Sequence, residues 1–317
     1  MSTTEATAQP VSLAQEDEYK PQSPWRLAMR RFRRHRMAMV GLFVLIGIIL
    51  YVTVGSVVYS EADANYNDTS IRLQPPSLAH LFGTDTVGRD ILVRTIYGGQ
   101  ISLIIGIFAV LVAVTVGTAI GVLSGYYGGL VDATLMRITE AMLSIPTILL
   151  LLVLAKFLSG HVPDITLLGR TFSGSVVVII VIIGLTSWTY LARIVRSSFL
   201  SLKEAEFILA ARALGIPDRR IILAHILPNT LASIIVAATL GVASAILTEA
   251  YISFLGLGVR PPTATWGSML DGAYQYLEQA PWLWFFPGLL IILTVMSINF
   301  VGDGLRDALD PRSDIKV

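Results

Sequence analysis

This sequence predicts an all-α, polytopic membrane protein with six transmembrane helices. Three observations carry that prediction: a mean hydropathy of +0.70, apolar stretches long enough to cross a bilayer, and a lopsided distribution of lysine and arginine. With 54% hydrophobic and 14% charged residues, the chain holds too little charge for a water-facing domain, where about a quarter of residues are charged. Lipid is therefore the solvent for most of it. Cysteine is absent, which excludes a disulfide framework, a thiolate nucleophile and cysteine-ligated metal sites.

The elements follow in chain order. Residues 1–23 are polar, contain Pro10 and Pro21 and lack an apolar period, the pattern of a disordered tail. Residues 24–75 form an N-terminal anchor region with the first span and the start of an outer loop. It opens with Trp25, Leu27, Met29 and Phe32 set among arginines, as in a helix lying on anionic lipid; a plain positive flank is the alternative. The first span, Met37–Val58, is longer than a signal-peptide core and offers no small-residue cleavage site between Val57 and Glu61. Five more follow at Ile101–Leu123, Thr139–Ala155, Val176–Leu191, Thr230–Ser253 and Trp284–Gly302, each near the length of one crossing, roughly 20 residues. Their apolar residues do not alternate with a period of two, so they are helices and not barrel strands.

With the N-terminus inside, the outer segments hold Arg72, Arg89, Arg94, Lys156, Arg170 and Arg260, and the other 17 of the 23 lysines and arginines lie inside. The positive-inside rule then places both termini in the cytoplasm. Tyr51, Tyr59, Trp188, Tyr190, Trp282 and Trp284 sit near span ends, as an interfacial aromatic belt requires.

The segment 193–229 is long for a connector and too rich in apolar residues for a solvated loop. Leu202 to Leu214, LKEAEFILAARAL, is built from strong helix formers, and Phe207, Ala210, Ala211 and Leu214 recur on one helical face. Gly215 stands where a left-handed residue closes a helix, and Pro217 suits the first turn of a second helix running toward His225. Pro228, which has no N–H and disfavours helical geometry at Leu227, predicts a bend into the fifth span. A membrane-lying helix and a docking element for another protein both fit this pattern.

The order Glu206-Phe207-Ile-Leu-Ala210-Ala211-Arg212-Ala-Leu214-Gly215, then His225-Ile-Leu-Pro228-Asn229, resembles the cytoplasmic EAA loop of ABC importer permeases. Leu209 stands where that pattern has a glutamate and His225 where isoleucine is usual, departures shared by the peptide-type subfamily, whose acidic residue Glu206 matches. Gly83-Thr84-Asp85 followed by Gly88-Arg89-Asp90 is similar to the outer-loop signature of C-type peptide permeases. Gly125-Tyr-Tyr-Gly-Gly-Leu-Val-Asp132, Ser253-Phe-Leu-Gly-Leu-Gly258, Trp266-Gly267 and Gly302-Asp303-Gly304 extend the likeness through residues 97–311.

The resemblance implies a type I ABC importer permease fold in a bacterial plasma membrane. It implies a homologous B-type permease, two ABC ATPase subunits that carry ATP and Mg, and an extracytoplasmic peptide-binding protein. It makes Glu206, Phe207, Ala210, Ala211, Leu214, Gly215, His225 and Pro228 the contact with the ATPase. Short peptides are the cargo it favours; dipeptide, nickel or glutathione uptake uses the same subunit type. No cofactor on this chain and no nucleic-acid partner are expected.

Other residues keep two readings. Gly83, Thr84, Asp85, Gly88, Arg89 and Asp90 fit a turn and a helix cap, with no further role assigned. Glu140 and Glu249 fall in or near spans, where an ionisable group lines a pathway or gate, or makes a packing pair. His35, His80, His161 and His225 lack metal-ligand spacing, and Asp303, Asp307, Asp310 and Asp314 lack the order of a calcium loop. No GxxxxGK(S/T) sequence occurs, so no phosphate cradle for ATP exists on this chain and it is not expected to be an enzyme. A secondary transporter, which would give the 193–229 loop no purpose, and a channel or membrane scaffold, which would need no ATPase, are the rival classes.

Overall fold

The computed structural model describes residues 24–158, 160–167 and 170–310; the expected tail 1–23 and the residues from Pro311 onward lie outside them. Helix α1 (Pro24–Arg34) meets α2 (Arg36–Val58) at His35, whose Nδ1 accepts from the Ala38 N–H at 3.1 Å and caps the second helix. Helix α1 lies against the far end of the chain, burying Phe32 with Ala38 and Ala308. A short α3 (Glu61–Asn65) starts with a capping box between Ser60 and Asp63. The remaining α-helices among the described residues are α4 (Ile91–Tyr127), α5 (Gly129–Ser144), α6 (Thr147–Leu158), α7 (Gly174–Leu202), α8 (Glu206–Ala213), α9 (Asp218–Arg220), α10 (Leu227–Phe254), α11 (Trp266–Leu270) and α12 (Trp282–Leu309). Strands β1 (Ile165–Leu167) and β2 (Arg170–Phe172) pair antiparallel in the loop before α7.

Five helices among the described residues are long and apolar enough to cross a membrane, and the pair α5–α6 makes a sixth crossing only as a broken span bent by 86°. The third span, expected as one helix over Thr139–Ala155, is corrected by this break. Its cause is Pro146, which removes a backbone donor and holds Ile145 in an extended conformation, φ −85°, ψ 128°. The second span also departs from expectation: α4 begins at Ile91, ahead of Ile101, and its 37 residues reach about 55 Å at 1.5 Å per residue. Arg94 and Gln100 depress the hydropathy of that first part, yet both are held by protein, Gln100 Nε2 donating to Val52 O at 2.7 Å.

The expected bend at Pro228 is absent. Leu227 is helical, and the chain runs from α9 through a π-helical stretch, Ile221–Ile226, straight into α10. The wider π turn, marked by Leu227 N–H donating to Ile222 O, absorbs the ring that would collide with the preceding turn.

Packing centres on α4 against α7. Gly117, Gly121 and Gly125 lie at every fourth position of α4, and a Cβ added to them would stand 2.8 Å from Trp188 O, 2.6 Å from Ala192 O and 2.6 Å from Phe199 Cβ. From the other side, Gly184 of α7 approaches Ala109 O, 2.9 Å from where its Cβ would sit. Lipid supplies no hydrophobic drive for two apolar helices to associate, so this backbone-level contact is what holds them. Helix α10 joins the pair through Gly106 and Ile246, and α2 meets α12 where Gly41 faces Ser297 O. Replacing Gly121 with Val should wedge the seam apart at a cost of about 1–3 kcal/mol, lowering the thermal midpoint and the monodisperse yield in detergent. Gly47→Val, at a site with nothing within 4 Å, should leave both unchanged; equal behaviour of the two variants would contradict the seam.

Candidate functional site

The loop after α7 is folded onto the spans. Helix α7 continues to Leu202, and Glu206 opens α8, where a carboxylate is favoured by the helix dipole. Ile208 and Ala211 turn inward and pack with Phe199, Ile221, Ile226 and Tyr126. Phe207 and Leu209 remain half exposed, Leu214 is 80% exposed, and Ala210 faces out beside them. Of the four residues expected on one apolar face, Ala211 therefore belongs to the chain's own core, and Leu209 takes a place on the outer surface.

Gly215 adopts φ +72°, the left-handed turn expected of it, and closes α8 in a Schellman arrangement: Gly215 N–H donates to Arg212 O at 2.9 Å and Ile216 N–H to Ala211 O at 3.1 Å. Ile216 joins the buried cluster under α8. His225 sits part-buried on the π turn, its carbonyl accepting from Asn229 Nδ2 at 2.6 Å, and Pro228 is exposed.

One polar clasp fastens this loop to the end of α4, and a second ties α7 to α5 and α4 at the same helix ends. Tyr126, at the end of α4, donates to Asp218 Oδ1 at 2.5 Å, and the Arg212 guanidinium lies 5.5 Å from its ring centroid. Arg196 of α7 grips Asp132 of α5 through two parallel bonds, Nε–Oδ1 2.5 Å and Nη2–Oδ2 2.6 Å, while Ser124 of α4 donates to the same carboxylate. Sequence reasoning quoted Tyr126 and Asp132 within a motif but missed these pairings, because Arg196 lies 64 residues from Asp132.

Between α4, α6, α7 and α10 lies a cavity of about 420 Å³ with an apolar wall and hydroxyls from Thr147, Ser187, Ser244 and Thr248. Neither Glu140 nor Glu249 lines it. Glu140 is exposed on α5, 3.4 Å from Arg137. Glu249 is fully buried on α10, next to this cavity's Thr248 but outside the lining, and it accepts from Ser253 and Thr265 at 2.7 Å each and from Ser102 at 3.4 Å. Ser102 in turn accepts from the Trp266 N–H at 3.1 Å, so one carboxyl ties α10 to α4 and α11.

On the other end of the molecule the GTD…GRD segment is a knotted turn. Gly83 and Gly88 take φ +76° and +83°. Thr84 Oγ1 bonds Ile71 O and accepts from Gln74 N–H at 2.9 Å, and Thr84 O accepts from Trp282 Nε1 at 3.1 Å. Asp85 closes the turn through the N–H groups of Val87 and Arg89. The cap of α4 is Asp90, which accepts from Val93 N–H at 3.1 Å and is held by His80 Nδ1 at 2.8 Å. Among these positions, Glu249 offers the plainest test. Glu249→Leu should leave three hydroxyls short of an acceptor and lower stability by about 1–3 kcal/mol, while Glu249→Gln, which keeps an acceptor, should cost less; thermal unfolding that ranks them otherwise would contradict the network.

The comparisons agree with this geometry. Residues 117–315 match the model of the binding-protein-dependent transport system inner membrane component, and residues 23–76 match the N-terminal transmembrane domain of oligopeptide transport permease C. The chain is 42% identical over 306 residues to a dipeptide transport system permease protein of Alkalihalophilus pseudofirmus, covering 96% of each. It is 42% identical to an oligopeptide transport system permease protein of Haemophilus influenzae, covering 94% of this chain and 92% of that one. An inward-facing structure of the MetNI methionine ABC transporter shares the fold, with a TM-score of 0.53 and 21% identity over 67% of this chain and 94% of that chain. A broken third span, a helical loop packed on the ends of α4 and α7 and a match over nearly the whole chain lead to one conclusion: this protein belongs to the family of binding-protein-dependent transport system inner membrane components, as a multi-pass permease subunit and not an enzyme.

Proposed function

We propose that this chain is the C-type permease half of an ATP-driven importer of short peptides, coupled to partner ATPases through α8. The observation that carries the coupling is the outward face of Phe207, Leu209, Ala210 and Leu214: an apolar surface at a loop, held rigidly from beneath by Ile208 and Ala211. A solvated loop has no reason to expose it, and a partner protein of complementary shape does. Because the sequence has no phosphate loop, ATP and Mg belong to two partner ATPase subunits. Their closure pushes on α8, the Tyr126–Asp218 clasp passes that displacement to α4, and the Arg196–Asp132 clasp couples α7 to α5; α4 and α7 are walls of the 420 Å³ cavity.

A homologous B-type permease completes the pathway against the apolar surface of α5 and α6, where Leu130, Ile138, Leu149 and Val153 are exposed. An extracytoplasmic peptide-binding protein delivers cargo. Peptide cargo rests on the names of the relatives, which carry peptide, dipeptide or oligopeptide transport; nickel or glutathione is the alternative for this subunit type. The subunit sits in a bacterial plasma membrane with both termini cytoplasmic. Reporter fusions after Lys203 and Tyr274 should then read cytoplasm and exterior respectively, and the reverse assignment would contradict the orientation.

The coupling is tested at Gly215. A Cβ there meets nothing within 4 Å, so Gly215→Val acts only through its left-handed φ, straining the turn by about 1–2 kcal/mol. The variant should insert and pair with its partner permease, yet uptake should fall together with co-purified ATPase, or hydrolysis should continue without uptake. Glu206→Lys should act in the same direction. Wild-type transport by a Gly215→Val complex that keeps its ATPases would refute α8 as the coupling element.

A further inference from the structure

Helix α1 does not close fully on the spans beside it. Between α1, the first turns of α2, Ile235 of α10 and the last turns of α12 lies an apolar groove of about 360 Å³. Met29, Phe32 and Arg33 line it from α1, and Met39 and Leu42 from α2. The same face of α2 continues at helical spacing to Phe43 and Ile46, both exposed. The groove therefore runs out onto the apolar surface that the first span turns to lipid.

The charge at its edge has one sign. Arg33 is the only charged residue in the lining, and among the described residues it makes no ion pair. Arg26 and Arg30 precede it at helical spacing, so three exposed guanidiniums stand in a row on one side of α1. From Pro24 to Arg36 the chain has six arginines and no carboxylate. The carboxylates at the adjoining end of α12, Asp303, Asp307 and Asp310, lie outside the lining. Asp307 stands 3.5 Å from His35 Nε2, and Arg31 donates to Asp310 O at 3.1 Å. An apolar slot open to hydrocarbon, with a basic row at its edge, matches the two parts of a phospholipid, and a guanidinium fork suits its phosphate.

We propose that this groove holds an acyl chain of one anionic phospholipid, whose phosphate sits on Arg33 with Arg30 and Arg26 beside it. A zwitterionic headgroup would bring a cation to the same basic row, so the site favours a headgroup with net negative charge. The lipid enters sideways from the bilayer along Phe43 and Ile46. Once bound, it fills the gap between α1 and α10 and braces α1 against α12. The inference rests on the chain being a multi-pass membrane protein and not on its cargo or its coupling, so its failure would leave the importer reading untouched.

The test uses the full chain in a neutral detergent, each variant first shown to match wild type in helicity and lipid-free thermal midpoint. Dioleoylphosphatidylglycerol, dioleoylphosphatidylcholine and inorganic phosphate are titrated in turn, and bound molecules are counted by native mass spectrometry. Wild type should take up one phosphatidylglycerol at least about fivefold more tightly than phosphatidylcholine, with a rise in thermal midpoint. Arg33→Gln should weaken that binding about fivefold. Met29→Glu, at an exposed position of the lining, should weaken it further by setting a carboxylate in the groove. Arg34→Gln removes the same charge outside the lining and should change affinity by less than about twofold. Equal losses in Arg33→Gln and Arg34→Gln would assign the attraction to the basic surface at large and overturn the groove. Phosphatidylcholine bound as tightly as phosphatidylglycerol overturns the anionic headgroup, and inorganic phosphate bound as tightly overturns the acyl chain. A wild-type chain that binds no phosphatidylglycerol overturns the site outright.

Discussion

Everything at the loop end of this molecule depends on how closely α4 and α7 approach. Gly117, Gly121 and Gly125 let the backbone of one helix lie against that of the other along three turns. The seam brings Tyr126 and Phe199 together at its end, and those two rings form the floor on which Ile208, Ala211 and Ile221 pack. A side chain at any of these glycines would part the helices before it disturbed the loop. The loop would then lose its floor.

Polar groups do the complementary task of fixing direction. Apolar packing alone would let the loop slide on its floor, whereas the Tyr126–Asp218 bond ties it to α4, and the two-pronged Arg196–Asp132 bond fixes α7 against α5. Within the membrane the chain uses the same economy: Glu249 finds three hydroxyls and Trp266 finds Thr95 O and Ser102, so that few buried groups stand without partners. At the opposite end the Gly83–Asp90 turn anchors the start of α4 to Ile71, Gln74 and Trp282. The long α4 thus joins a polar turn at one end to a polar clasp at the other, with the glycine seam between.

Much of this was legible in the sequence. Apolar run length located the spans because lipid demands it, and Gly215 announced its turn because no other residue takes a left-handed φ without strain. The failures are equally physical. Hydropathy averages over a window, so it missed the break that Pro146 imposes and it cut α4 short at Arg94 and Gln100, polar residues satisfied by protein and not by water. Pro228 misled because a π turn can absorb a proline inside a continuous helix. A period of three and four identified a face on α8, but not which side of it meets the chain's own core; Ala211 and Leu209 divided the opposite way once Ile208 was buried. The small-residue repeat at Gly117, Gly121 and Gly125 was readable and would have predicted the α4–α7 pair. The Asp132–Arg196 bond was not, since nothing local to either residue names the other.

The central claim is that α8 moves as one body with the ends of α4 and α5. The native chain has no cysteine, so spin labels can be placed at Ala213 on α8 and Ala133 in the first part of α5, both exposed, without removing any. Pulsed electron spin distance measurements on the assembled transporter, nucleotide-free and nucleotide-bound, test it directly. The Ala213–Ala133 distance should stay constant between the two states while the distance from Ala213 to a label on the partner permease changes. A shift of the Ala213–Ala133 distance by several ångströms, with the spans unmoved, would show that α8 swings freely on its loop and would contradict the account.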